Sequence, residues 1–156
     1  MSGFKKVYLL DPHEALFQEI EVEFLDETII RSHLECEAVD CFRFDDNHLL
    51  YFDDNGLRAG MHYYTMVAGY PDPLGGKLLL ALNEEGPFPV PDLELSTALR
   101  RFDCFRPVLD PVIENSRISQ GSVTRYISIV GSFSIRIEPI EIRIITLRGI
   151  FDQCVL

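Results

Sequence analysis

The chain has little that would tie it to a membrane, an oxidising compartment or a nucleic-acid backbone. Its longest wholly apolar run is Leu78 to Leu82, far short of the roughly 20 residues that a membrane-crossing helix needs. The opening residues Met1-Ser2-Gly3-Phe4-Lys5-Lys6 lead into a short apolar stretch ended by Asp11-Pro12, unlike the longer apolar segment of a secretory leader. The four cysteines, at 36, 41, 104 and 154, form no CxxC pair. These features predict a cytoplasmic protein with reduced thiols and no membrane attachment. Positive charge is also scarce: 14 Lys plus Arg face 25 Asp plus Glu, for a net charge of −11. The deficit lies in residues 1–106, with 20 acids against 9 bases, whereas residues 107–156 hold five of each. An acidic surface repels phosphate, so residues 1–106 are expected to bind no DNA or RNA. Acidity favours solubility and, where a partner exists, a protein with a basic surface.

What is present suits one domain with an appendage. A chain of 156 residues that is 47% apolar buries a core without disulfides or metals. Val7 to Leu10 is β-prone, and Asp11-Pro12 ends it. Ile20, Val22 and Phe24 alternate with Glu19, Glu21 and Glu23, the period of a strand with one buried and one acidic face. Asp26 is placed to cap a helix carrying Ile29, Ile30 and Leu34 on one face. Val39 to Phe44 and Leu49 to Phe52 read as strands around the Asp45-Asp46-Asn47 turn. Asp53-Asp54-Asn55-Gly56 is the strongest turn signal. Met61 to Val67 fits a strand or a short helix, and Gly69 to Gly76 fits a rigid loop. Lys77 to Leu82 reads as a central strand and Asn83-Glu84-Glu85-Gly86 as the turn after it. Pro87, Pro89 and Pro91 space an extended connector, and Asp92 is placed to cap a helix through about Phe102. The expected fold is α+β: a twisted, mostly antiparallel sheet with two helices on one face.

Composition changes near Arg106-Pro107. Residues 1–106 contain 16 Leu and 3 Ile, whereas residues 107–156 contain 3 Leu, 11 Ile and no Lys. Ile127 and Ile129, Ile135 and Ile137, and Ile140, Ile142 and Ile144 recur at period two, with Pro139 marking an edge or break. The division is therefore an acidic α+β domain at 1–106 and an Ile-rich β extension at 107–156. The extension is either a genuine β appendage that pairs with the sheet or another chain, or a tail of different origin, as from a shifted reading frame. An uncovered Ile-rich strand invites aggregation, so a genuine appendage needs a partner surface.

The order of several segments carries a resemblance. Leu10-Asp11-Pro12, Tyr51-Phe52-Asp53-Asp54-Asn55-Gly56-Leu57, Gly69-Tyr70-Pro71-Asp72-Pro73-Leu74-Gly75-Gly76-Lys77, Asn83-Glu84-Glu85-Gly86 and a Leu-rich helix ending near Phe105 follow one another. This resembles small uncharacterised proteins of alphaproteobacteria and their phages. Those are in turn similar to a phage- and plasmid-borne family known as the domain of unknown function numbered 3846. The likeness covers about residues 5–106 and implies a compact α+β domain, with no activity, cofactor or catalytic residue to carry over. Asn55 stands where that pattern has an acid, and Leu78 to Leu82 replaces a glycine-containing segment. The residues from Pro107 onward lie outside the resemblance.

Candidate chemistry is thin. Asp45, Asp46, Asp53 and Asp54 supply oxygen ligands but no calcium-loop pattern, so solvated turn acids are the simpler reading. His33, Cys36 and Cys41, with Cys104 or His62, match no zinc spacing. Gly75-Gly76-Lys77 lacks the spacer and trailing hydroxyl of a phosphate loop. Ser96, Ser122 and the four histidines form no triad signature, and His48 sits beside the acidic hairpin as a group able to titrate near neutrality. No metal, cofactor or catalytic set is expected. The favoured function is a non-enzymatic protein-interaction module of phage or mobile-element type, presenting acidic surface and the aromatic stretch Tyr63, Tyr64 and Tyr70 to a basic protein. The alternative is a small-ligand site or minor enzyme between the Asp53–Gly56 turn and the Tyr70–Lys77 loop, using Asp53, Asp54 and Lys77. A concave pocket there discriminates the two.

Overall fold

The computed structural model describes residues 4–57, 62–83 and 93–147. The chain runs β1 (Lys5–Asp11), β2 (Leu16–Val22), α1 (Glu27–Leu34), β3 (Val39–Arg43), β4 (His48–Asp53), β5 (Tyr64–Val67), β6 (Leu74–Gly75), β7 (Leu78–Leu82), α2 (Leu95–Leu99), β8 (Phe102–Gln120), β9 (Arg125–Pro139) and β10 (Arg143–Ile145). One sheet has the order β10-β2-β1-β7-β4-β3 and a second the order β6-β5-β8-β9. Among the described residues, every pairing is antiparallel except β10 on β2. This is a mostly antiparallel α+β fold with short helices.

The central strand explains the layering. Leu78 and Leu80 face one core with Leu10, Leu50 and Phe52, while Leu79 and Ala81 face a second with Val7 and Leu9. A run of apolar residues with no alternation marks a strand covered on both sides. The first core is closed by α2, through Leu95 and Ala98, and by Val67, Leu74, Phe102 and Cys104 of the second sheet. The second core is closed by Ile30 and Leu34 of α1. The helices therefore lie on opposite faces, not on one as expected, because both faces of β1 and β7 are apolar and each needs a cover.

Asp26 caps α1 as the sequence indicates: its carboxylate accepts the Ile29 N–H at 2.8 Å. Phe24 departs from the expected alternation. It lies beyond the end of β2 and is 52% exposed, and Phe17 is the buried aromatic of that strand. Phe17 shares a face with Glu19, so β2 buries side chains on both faces and has no purely acidic one. α2 is also shorter than the reading through Phe102. It starts after Glu94, which makes no side-chain cap bond, and Phe102 opens β8 instead. The residues after Asn83, the proline-spaced connector, Asp92 and Cys154 lie outside the described residues.

β8 runs without interruption through Arg106 and Pro107. Phe102 and Cys104 are buried in the core, whereas nearly all of the strand beyond Asp110 is exposed, paired only with β9 in a long two-stranded ribbon. The chain then returns, with Ile140 and Ile142 packing against the first core and β10 joining the edge at β2. Among the described residues, every buried member of both cores precedes residue 106. No described helix is long and apolar enough to cross a membrane.

Candidate functional site

Sheet order assembles a charged cluster from three strands. Leu10 of β1 and Phe52 of β4 both pair with Leu78 of β7. One residue along, alternation turns Asp11, Lys77 and Asp53 to the opposite face, so two carboxylates flank one ammonium. α1 ends over that face, and Glu35, its left-handed cap residue at φ +54°, brings its carboxylate to Lys77. Lys77 Nζ lies 3.2 Å from Glu35 Oε2 and 3.7 Å from Asp11 Oδ2. The other Asp11 oxygen accepts the backbone N–H groups of His13 at 3.0 Å and Glu14 at 3.2 Å. Asp11 is buried, and a carboxylate at that depth is stable only with such partners.

Around this cluster is a cavity of about 290 Å³, bounded by Asp11 to His13, Leu34 and Glu35, Asp53 and Gly56, His62 and Tyr63, and Gly76 and Lys77. Tyr63 forms a wall, edge-on to His13 with ring centroids 5.0 Å apart. The Asp53 turn is fixed from within: Asp53 Oδ1 accepts the Asn55 N–H at 2.9 Å and its carbonyl accepts the Gly56 N–H at 3.1 Å. The three carboxylates against one ammonium make the cavity electronegative.

Of the residues singled out from sequence, Asp53, Tyr63 and Lys77 meet at this cavity. Asp54 is exposed on the same turn, with its N–H bonded to the Ala38 carbonyl at 3.0 Å. Tyr64 and Tyr70 lie elsewhere. Tyr64 stacks on Phe105 at 5.2 Å, across the β5–β8 pair. Tyr70 stacks on Phe42 at 4.1 Å and packs against the first core. Asp11, His13 and Glu35 were not among the sequence candidates. Asp11-Pro12 carries a strand-end signal that conceals its second role, and no local pattern announces the left-handed Glu35.

The other candidates resolve into structure. The Asp45-Asp46 and Asp53-Asp54 tips lie at opposite ends of β4, and among the described residues no three metal-ligating side chains converge. His48 is buried and its Nδ1 lies 2.8 Å from Asp45 Oδ1. Burial alone would raise the Asp45 carboxyl. The Asn47 N–H, the His48 bond and charge and the His48 N–H outweigh it, and hold the carboxyl below its ordinary value of 3.8. A carboxyl lowered in the fold stabilises it above the unfolded value, and that contribution is lost as pH falls through the folded one. Asp45→Asn is therefore expected to lower stability by about 1 kcal/mol near neutrality, with the gap to the parent narrowing below pH 4. Thermal unfolding from pH 6 to 3 checks this, and a gap independent of pH refutes it. The thiols of Cys36, Cys41 and Cys104 are all raised, chiefly by burial, which disfavours the reactive thiolate.

Two rhizobial proteins are similar to this chain. Uncharacterized protein y4iR of Sinorhizobium fredii is 45% identical over 107 residues, covering 67% of this chain and 66% of that protein. Protein PsiB of Rhizobium leguminosarum bv. phaseoli is 42% identical over 77 residues, covering 49% of this chain and 58% of that protein. The matched part thus spans just under two thirds of the first relative and less of the second. No family model matches the chain, and no solved structure does. The likeness that holds is to these alphaproteobacterial proteins, and neither name states an activity, ligand or partner.

Proposed function

We propose that the chain binds a small molecule carrying a basic nitrogen in the cavity between the Asp53–Gly56 turn and the Gly76-Lys77 loop. The observation that carries this reading is the pairing of Asp11 and Glu35 with Lys77 in a cavity that Asp53 and the Tyr63 wall also line. A concave site with a few convergent polar groups is the usual form of a ligand pocket. Net negative lining disfavours phosphates and carboxylates and favours an amine, whose apolar portion packs on Tyr63. Lys77 is paired with Asp11 and Glu35, which leaves Asp53 as the lining carboxylate assigned to the amine. The test is a thermal-shift series with small amines, neutral polyols and carboxylates. An amine should raise the melting temperature, and Asp53→Asn should abolish the rise. Stabilisation by carboxylates, or by no amine at millimolar concentration, overturns the reading.

A second reading is a protein-interaction module of mobile-element type that offers acidic surface to a basic protein. It draws on the charge of −11 concentrated in residues 1–106 and on the exposed Asp54. It predicts salt-sensitive capture of a basic protein, weakened by Asp54→Lys.

A further inference from the structure

The ribbon of β8 and β9 is two-faced, and its register shows which residues share a face. Pro107 pairs with Ile137, Leu109 with Ile135, Pro111 with Phe133 and Ile113 with Gly131. A bulge between Ile113 and Asn115 then shifts the register by one, so that Ser116 pairs with Ile129 and Ile118 with Ile127. Without that extra residue, Ile118 would fall on the opposite face. Gly131 sits opposite the bulge, where a Cβ would lie 2.2 Å from the Val112 carbonyl oxygen. Cross-strand partners share a face, so one side of the ribbon carries an apolar stripe from the Pro107–Ile137 pair to the Ile118–Ile127 pair, with Ser116 within it and the Gln120–Arg125 pair at its tip. The other side is mixed: it carries Arg106, Asp110, Arg117, Arg136 and Glu138, with Arg136 Nε 2.9 Å from Asp110 Oδ2 and Arg106 paired to Glu138, and Val112, Tyr126 and Val130 interspersed with Ser128, Ser132 and Ser134.

Eight large side chains form the stripe: Leu109, Ile113, Ile118, Ile127, Ile129, Phe133, Ile135 and Ile137, each 59–73% exposed. At roughly 150–200 Å² apiece, they leave on the order of 800 Å² of apolar surface in water. Patches of that size mark interaction sites, and about 800 Å² is what one partner gives a standard stable interface. An isolated two-stranded ribbon is itself only marginally stable.

We infer that this stripe packs against the same stripe of a second copy, forming a twofold dimer through the ribbons. Charge selects this occupant. The eight stripe side chains are uncharged, with Arg125 standing at the tip of that face, and β8 with β9 is neutral as a whole, with Asp103, Asp110, Glu114 and Glu138 against Arg106, Arg117, Arg125 and Arg136. Two ribbons therefore meet without repulsion while the acidic bodies stay apart. A twofold contact needs a self-complementary surface, and two flat apolar β faces stack about 10 Å apart. Pro107 and Pro111 lack the N–H groups that would extend the sheet from the outer edge of β8, which favours stacking of faces over pairing there. This goes beyond the amine-binding reading and does not depend on it.

Analytical ultracentrifugation of the full chain should show a particle of about twice 17.9 kDa at micromolar concentration. Ile129→Lys combined with Ile135→Lys, and separately Leu109→Glu, should each weaken the dimer by roughly 100-fold or more. Ser132→Lys, on the other face, should leave it intact. Cooperative unfolding of each variant shows that the body is folded, and where a variant fails that check the concentration dependence of the unmodified chain decides. A chain that stays monomeric, or a dimer weakened equally from both faces, overturns the inference. So does a monomer that binds phosphatidylcholine or phosphatidylglycerol vesicles through the stripe.

Discussion

Phe17→Ala is expected to lower the free energy of unfolding by about 3–5 kcal/mol. Phe17 is 1% exposed and meets Tyr8 edge-on at 5.9 Å and Phe102 edge-on at 5.6 Å. It stands where β2, the root of β8 and the first core converge, and Phe102 continues the chain of rings to Phe44 at 5.5 Å. Arg101 ties the same corner, lying 3.9 Å over the Phe44 ring and donating to the Phe44 and Ala68 carbonyls. Rings from separate strands cannot collapse into the vacated space without moving those strands, so the site sits at the expensive end of the range. Stabilities of single domains are about 5–15 kcal/mol, so the loss removes a large share of the total. Urea denaturation measures it. The exposed Phe24→Ala should stay within about 0.5 kcal/mol of the parent. A loss below about 1.5 kcal/mol at Phe17 would mean that this corner repacks freely, contrary to the close packing expected of a protein interior.

Local signals made much of this fold legible and left its assembly hidden. Asp26 could be read as a cap because capping is settled within three residues. Val7 to Leu10, Leu49 to Phe52 and Leu78 to Leu82 could be read as strands because burial imprints a pattern on each. The placement of the helices was not legible as a pattern of either helix alone. The unbroken Leu-Leu-Leu-Ala-Leu run held the information, since a strand apolar on both sides needs covering on both. Phe102 fits a helical face by spacing, but tertiary pairing with Val67 claims it for a strand. The composition change at Arg106-Pro107 coincides with the place where β8 leaves the core: Cys104 is buried, and Leu109 is 62% exposed. Lys77 and Asp53 stood out because turns flank them. Asp11 and Glu35 join them only through a strand order and a helix-end conformation that no short window of sequence contains.

Gly56→Ala tests whether that assembled geometry is what the cavity depends on. A Cβ at Gly56 would lie 2.6 Å from the Gly75 carbonyl oxygen, 3.1 Å from the Gly75 carbonyl carbon and 3.2 Å from the Asp53 carbonyl oxygen. All three are backbone atoms, so no side chain can swing aside. Gly75 is held by the β5–β6 pairing of Tyr64 with Gly75 and Thr65 with Leu74, and Thr65 is wholly buried. The turn must yield instead, and it carries Asp53 away from Lys77. Overpacking of this kind costs about 1–3 kcal/mol. The amine affinity should fall by roughly 10-fold or more, since an acceptor displaced by an ångström no longer matches its donor. Asn55→Asp, one residue earlier on the same turn and facing solvent, should change stability by less than about 0.5 kcal/mol. Thermal unfolding and amine titration of both variants separate the cases. Equal, small effects at Gly56 and Asn55 would show that the turn slides without consequence and that close contact with Gly75 does not set the width of the cavity. Loss of stability and affinity at Gly56 alone ties the ligand site to a backbone contact between two segments nearly twenty residues apart.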